Sequence, residues 1–140
     1  MTNTTFERIE HFSEEHVEQL VALYQHEWWT KGRTEPDVRR MLEHTDIIVA
    51  FAEPGSQRLA AFARVLTDAV YKAVIFDVIV DARHRGTGLG RTLMDAIVTH
   101  PQLQGVRHME LYCKPELMPL YRKWGSTEKL AGVHFMRRVS

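Results

Sequence analysis

Three features of the 140-residue sequence predict an α/β (α+β) fold, with a mixed, mostly antiparallel central sheet and helices on both faces. Three β-type runs follow one another through short turns between Ile47 and Val80, the pattern of an antiparallel meander. The last of these runs passes through a helical segment into a further strand, and such a crossover sets two parallel strands in one sheet. Two amphipathic segments precede the meander and add helices to the sheet.

Taken in order, Phe6 to Ile9 reads as a short first strand. Ser13 is a good N-cap, Glu14 and Glu15 suit a helix start, and Val17, Leu20, Val21, Tyr24 and Trp28 share one face, so a first helix is expected from Ser13 to Trp28. Lys31-Gly32-Arg33 is the following loop. Thr34 with Asp37 resembles a capping box, Pro36 suits a first turn, and Val38, Met41 and Leu42 give a shorter second helix its apolar stripe. Ile47 to Ala52 and Leu59 to Leu66 are strands joined by Glu53-Pro54-Gly55-Ser56-Gln57, and Tyr71 to Val80 continues the sheet. A helix from Leu89 to His100 stops at Pro101, Gly105 breaks the chain again, and Val106 to Cys113 is the next strand. Pro115 and Glu116 open a last helix carrying Leu117, Leu120, Tyr121 and Trp124, which Gly125 ends, and a closing strand is expected from about Gly132 to Val139. The order is βααβββαβαβ. No repeat, linker or low-complexity tract interrupts it, so residues 1–140 are expected to form one domain.

Composition narrows the function. Lys+Arg and Asp+Glu number 18 each, so the formal net charge is zero and non-specific binding to nucleic acid is disfavoured. No apolar run approaches the roughly 18 residues of a membrane span, and Met1-Thr2-Asn3-Thr4-Thr5 lacks a basic-then-apolar signal, so no membrane partner and a cytoplasmic location are expected. The single cysteine, Cys113, cannot form an internal disulfide, and no spacing among the eight histidines resembles a zinc site, so no metal is expected.

The chemistry concentrates at Arg83-His84-Arg85-Gly86-Thr87-Gly88-Leu89-Gly90, between the apolar run Val74 to Val80 and a helix start. Glycines in such a turn let backbone N–H groups converge on an anion, and the helix start adds unpaired donors and its dipole. A diphosphate suits the place. A Walker loop needs a Lys after its last glycine, where Arg91 stands, and glycines at 86, 88 and 90 do not fit the dinucleotide fingerprint. The remaining pattern, Arg-x-x-Gly-x-Gly at Arg83, Gly86 and Gly88, resembles the acyl-CoA pyrophosphate loop of the GNAT (GCN5-related N-acetyltransferase) superfamily. Leu120-Tyr121-Arg122-Lys123-Trp124-Gly125 is similar to that superfamily's later Leu/Phe-Tyr-x-x-hydrophobic-Gly signature, with Ser126 where Phe is usual.

The resemblance implies a GNAT-like sheet and transfer of an acetyl group from acetyl-CoA, as co-substrate, to a primary amine by direct attack in a ternary complex. It implies pyrophosphate contacts from Arg83, Arg85, Gly86, Thr87, Gly88, Leu89, Gly90 and Arg91, mainly through the main chain, the arginines having solvated charge as their plain reading. It maps main-chain contacts to the pantetheine arm and the oxyanion onto Val78, Ile79 and Val80, whose side chains read as core. It makes Tyr121 the candidate proton donor to the departing thiolate, against a core role on the face shared with Leu117, Leu120 and Trp124. Asp77 interrupts an apolar strand, so it is exposed, paired, protonated or functional, and it is the candidate base; a water chain or a capping role is the alternative. On the acceptor side Glu27 would anchor a cationic amine, with Trp29 and Tyr71 as walls, while Trp28 fits the core stripe. The acceptor, a small-molecule or peptide amine, stays unidentified. Paired tryptophans and apolar edges are compatible with a homodimer. The rival functions are an acyl-CoA-binding regulatory module without turnover and an interaction domain with an incidental turn.

Overall fold

The computed structural model describes residues 5–139, so the absence of a signal at Met1-Thr2-Asn3-Thr4-Thr5 falls almost wholly outside the described residues. Strands β1 (Glu7–Arg8), β2 (Ile47–Ala52), β3 (Leu59–Thr67), β4 (Lys72–Val80) and β5 (His108–Leu111) form one sheet in that order. The first three pairings are antiparallel, whereas β5 lies parallel to β4 after a crossover through a helix. The helices are α1 (Glu14–Tyr24), α2 (Glu35–Glu43), α3 (Leu89–Val98) and α4 (Met118–Arg122).

Each face of the sheet has its own apolar layer. Leu20, Leu23 and Tyr24 of α1 and Val38 of α2 pack with Phe62 and Ile79. On the other face Leu89, Leu93 and Ile97 of α3 and Tyr121 of α4 meet Val49, Ala63, Val65 and Ile75. Burying each such leucine or isoleucine is worth roughly 1.5–3 kcal/mol, so the helices dock where their apolar stripes fall. The caps follow the sequence with one change of chemistry. Ser13 caps α1, but its reciprocal partner is His16, whose Nδ1 accepts the Ser13 N–H at 3.0 Å. Thr34 accepts from Asp37 N–H at 3.4 Å, which is half of the expected box.

Three expectations fail, each for a tertiary reason. Helix α1 stops at Tyr24, not Trp28, because the chain folds back: the buried Thr30 hydroxyl donates to the Tyr24 carbonyl at 2.7 Å, and the Gln25 amide ties to the Arg33 carbonyl and Gly32 N–H. Trp28 therefore leaves the core stripe and is 73% exposed. The expected strand from Gly132 to Val139 is irregular chain with no ladder partner among the described residues, although Phe135 touches Tyr112 with ring centroids 4.9 Å apart. Alternating apolar residues permit a strand, but ladder hydrogen bonds are needed to make one.

Candidate active site

Asp77 breaks the β4 pattern because the strand bulges there. The β3–β4 register shifts between Phe62 and Arg64, and Asp77 has φ 56°, a left-handed conformation that Asp tolerates better than the Val and Ile around it. A bulge adds twist and bends the strand. Pairing of β4 with β5 ends at Ile75↔Leu111, so from Phe76 to Val80 the β5-facing edge of β4 has no strand partner among the described residues. Val78, Ile79 and Val80, the expected main-chain contacts, lie on this open edge; their side chains pack in the core layers, Val78 and Val80 on the α3 side and Ile79 on the α1 side.

The glycine turn leaves the same end of β4. A short helical turn at Ala82–His84 leads to Gly86 and Gly88, with φ 79° and 87°, and Gly88 is the N-cap of α3 with no side-chain capping bond. The first intrahelical bond beyond it runs from Thr92 N–H to the Gly88 carbonyl, so the N–H groups of Leu89, Gly90 and Arg91 have no helical acceptor. A Cβ built on Gly86 or Gly88 would meet no protein atom within 4 Å, so both face open space. A Cβ on Gly90 would approach Val80 at 3.8 Å, close to the strand.

Three ties hold the turn from outside. Arg83 pairs with Asp81 at 3.2 Å and Glu53 at 3.4 Å, and His84 Nε2 lies 2.9 Å from the same Glu53. Arg85 donates to the Val80 carbonyl at 3.2 Å and to Glu27 at 2.7 Å. Glu27, expected as an anchor for the acceptor amine, thus joins the α1–α2 connection to the turn. Arg91 is exposed and makes no ion pair among the described residues.

Tyr121 projects from α4 into the layer containing Leu89 and Ile75 and is 7% exposed. Among the described residues its hydroxyl has no hydrogen-bond partner and no buried side-chain N or O atom is unsatisfied, so the oxygen reaches solvent-accessible space. Burial first, and nearby Cys113 second, raise its pKa, so the phenol keeps its proton at neutral pH. Cys113 is itself raised, by burial and then Glu116.

Across the sheet, Asp77 Oδ2 accepts from the Tyr24 hydroxyl at 2.9 Å, Arg33 Nη1 at 2.8 Å and Arg64 Nε at 2.8 Å. Burial alone would raise the Asp77 carboxyl, but the hydrogen bonds and charges of Arg33 and Arg64 outweigh it and hold the group below the usual carboxylate range. The Tyr24 hydroxyl is pushed well up, by burial and then by Asp77. The sequence marks Asp77 as anomalous, but Arg33 and Arg64 escape notice because their partner lies 44 and 13 residues away along the chain.

Two wall assignments change. Tyr71 sits in the β3–β4 turn, at the opposite end of β4 from Val80, with Arg107 stacked 5.3 Å from its ring centroid, so it is not beside the open edge. The aromatic that meets the β5–α4 connection is Trp28, with the Lys114 ammonium 5.4 Å from its ring, rather than Trp29, which is 39% exposed nearby in sequence.

Residues 8–125 match the acetyltransferase (GNAT) family. The chain belongs to the GNAT family. This GNAT chain is 34% identical over 110 residues to serotonin N-acetyltransferase 2, chloroplastic, of Oryza sativa subsp. japonica, covering 75% of this chain and 55% of that one. It is 32% identical over 100 residues to GCN5-related N-acetyltransferase 1, chloroplastic, of Arabidopsis thaliana, covering 69% of this chain and 51% of that one. The chain thus spans about half the length of these relatives. Among solved structures, a putative GNAT acetyltransferase from Xanthomonas campestris pv. campestris superposes with a TM-score of 0.79 at 30% identity, covering 100% of this chain and 95% of that one. No helix among the described residues is long and apolar enough to cross a membrane.

Proposed function

We propose that this GNAT chain is an N-acetyltransferase that moves an acetyl group from acetyl-CoA to a primary amine, by direct attack in a ternary complex. The observation that carries the reading is the end of β4–β5 pairing at Ile75↔Leu111, which leaves an open main-chain edge leading to the uncapped start of α3. The residues fit the co-substrate. Uncapped N–H groups at Leu89, Gly90 and Arg91, with the open space at Gly86 and Gly88, suit a diphosphate. Thr87 is held by its hydroxyl on the His84 carbonyl at 2.5 Å, which shapes the turn, while Arg83 and Arg85, each paired with carboxylates, brace its rim. Val78, Ile79 and Val80 offer their main chain to the acyl arm. Bound acetyl-CoA supplies the activated acetyl thioester.

The chain's own residues then divide the work. Tyr121 holds a proton at its free hydroxyl and donates it to the departing sulfur. Asp77, held ionised by two arginines, is a weak proton acceptor, so it positions the bulge and the amine's proton leaves through water. Cys113, with its thiol pKa raised, is poorly suited to forming an acetyl-enzyme, which favours direct transfer. An exposed free cysteine also suits a reducing compartment such as the cytoplasm. Glu27 and Trp28 border the acceptor side. We take residues 1–140 as one acetyltransferase domain.

The test is CoA release over a panel of primary amines, with CoA binding measured in parallel. Turnover of any amine supports the enzyme; tight CoA binding with no turnover across the panel would return the chain to a binding module.

A further inference from the structure

Two guanidinium groups face one carboxylate on the α1 side of the β4 bulge. Arg33 Nη1 and Arg64 Nε both meet Asp77 Oδ2 at 2.8 Å, and the third donor to that oxygen is the neutral Tyr24 hydroxyl. One positive charge is therefore uncompensated among the described residues, although the Arg64 side chain is only 13% exposed. An arginine usually meets a carboxylate through its fork, two N–H groups side by side. Here each gives Asp77 a single nitrogen. The same Arg33 nitrogen also lies 3.8 Å from Met41 Sδ, the Arg33 guanidinium stacks 4.7 Å from the ring centroid of Tyr24, and Arg64 Nη1 and Nη2 have no hydrogen-bond partner among the described residues. No buried side-chain nitrogen is unsatisfied among those residues, so these Nη atoms reach solvent-accessible space.

The Arg64 guanidinium sits beside the residue at which the open strand edge begins. The Arg64 guanidinium lies 4.8 Å from the ring centroid of Phe76, the first β4 residue beyond the last pair with β5. Pinning the bulge needs one cation for one carboxylate; a second, partly desolvated, calls for another anion. We propose that Arg33 and Arg64 bind an anionic group of the acceptor, so that the substrate class is a primary amine that also carries a carboxylate or a phosphate. This rests on the acetyltransferase reading. Asp77 holds both arginines in place, and their unused N–H groups give a planar anion two-point contact.

The experiment compares CoA release with matched amines: 3-aminopropanoate against 3-aminopropanamide, and 2-aminoethyl phosphate against 2-aminoethanol. The anionic member of at least one pair is expected to have kcat/KM about tenfold to a hundredfold higher, the range of charge-assisted hydrogen bonds. The pair that shows it tells carboxylate from phosphate. Arg64→Lys keeps the charge and removes the fork, so it should abolish most of the difference through KM; Arg33→Gln should do the same. Both should keep the rise in Tm caused by CoA. Equal or better turnover of the neutral members, or a preference that survives both substitutions, overturns the proposal. If CoA causes no rise in Tm of the unaltered protein, it is the acetyltransferase reading that fails. In that case, or if none of the four amines is turned over, calorimetry with the two anionic amines decides: binding lost in Arg64→Lys supports the site, and no binding of either anion overturns it.

Discussion

Replacing Tyr121 by Phe deletes an oxygen with no hydrogen-bond partner among the described residues, while the ring stays in its apolar layer. The expected result is a kcat loss of about 10²- to 10⁴-fold with little change in KM for acetyl-CoA, the usual weight of general acid catalysis. Steady-state kinetics beside a melting curve checks it, and unchanged kcat would return Tyr121 to packing alone. Asp77→Asn acts on stability instead. It leaves Arg33 and Arg64 without their counter-charge and should cost about 3 kcal/mol at neutral pH, the lower end for breaking a buried pair. Because the folded carboxyl titrates below its unfolded value of about 3.9, its stabilisation is complete above that value and is lost as the pH falls through the lower folded one. Denaturant melts of wild type and variant should therefore differ by a constant amount above about pH 5 and converge in stronger acid. Curves that stay parallel down to pH 2 would refute the ion pair's role.

At the scale of the element, the diphosphate reading rests on the uncapped start of α3 and its glycine turn. Gly88 has φ 87° and open space around a built Cβ, so Gly88→Val forces a β-branched residue into a left-handed conformation and fills the approach to the α3 N-terminus. CoA affinity should fall about tenfold or more while the far-ultraviolet circular dichroism remains native, since helix N-termini are a main source of anion affinity. Isothermal calorimetry that finds unchanged affinity in the folded variant would displace the diphosphate from this turn. The bulge at Asp77 is the companion device. It lies in the β3–β4 pairing just beyond Ile75↔Leu111, the last β4–β5 pair, at the start of the edge that the turn continues.

For the whole molecule, a ligand that binds only the folded state stabilises it by RT ln(1 + [L]/Kd), about 2.7 kcal/mol at a hundredfold excess over Kd. Acetyl-CoA should accordingly raise Tm by several degrees, and the absence of any shift at millimolar ligand would remove it as co-substrate. The two apolar layers keep the parts of the site in register: one holds α3 and α4 against the sheet, and the other holds α1 beside the bulge.

Local chemistry determined much of this protein. The meander, the crossover and the glycine turn were legible because strand alternation, helical stripes and positive-φ glycines are properties of neighbouring residues, and the anomaly of Asp77 was legible because a carboxylate in an apolar run demands an explanation. Tertiary structure decided what depends on distant partners. Thr30 and Gln25 end α1 early and send Trp28 outward toward Lys114, while Tyr71 sits at the far end of the strand from Val80. The tail from Gly132 to Val139 has the alternation of a strand but, among the described residues, no strand that pairs with it. Arg33 and Arg64 gained their meaning only when folding brought them to one oxygen of Asp77, because ion pairs of this kind are set by spatial proximity, which spacing along the chain does not encode.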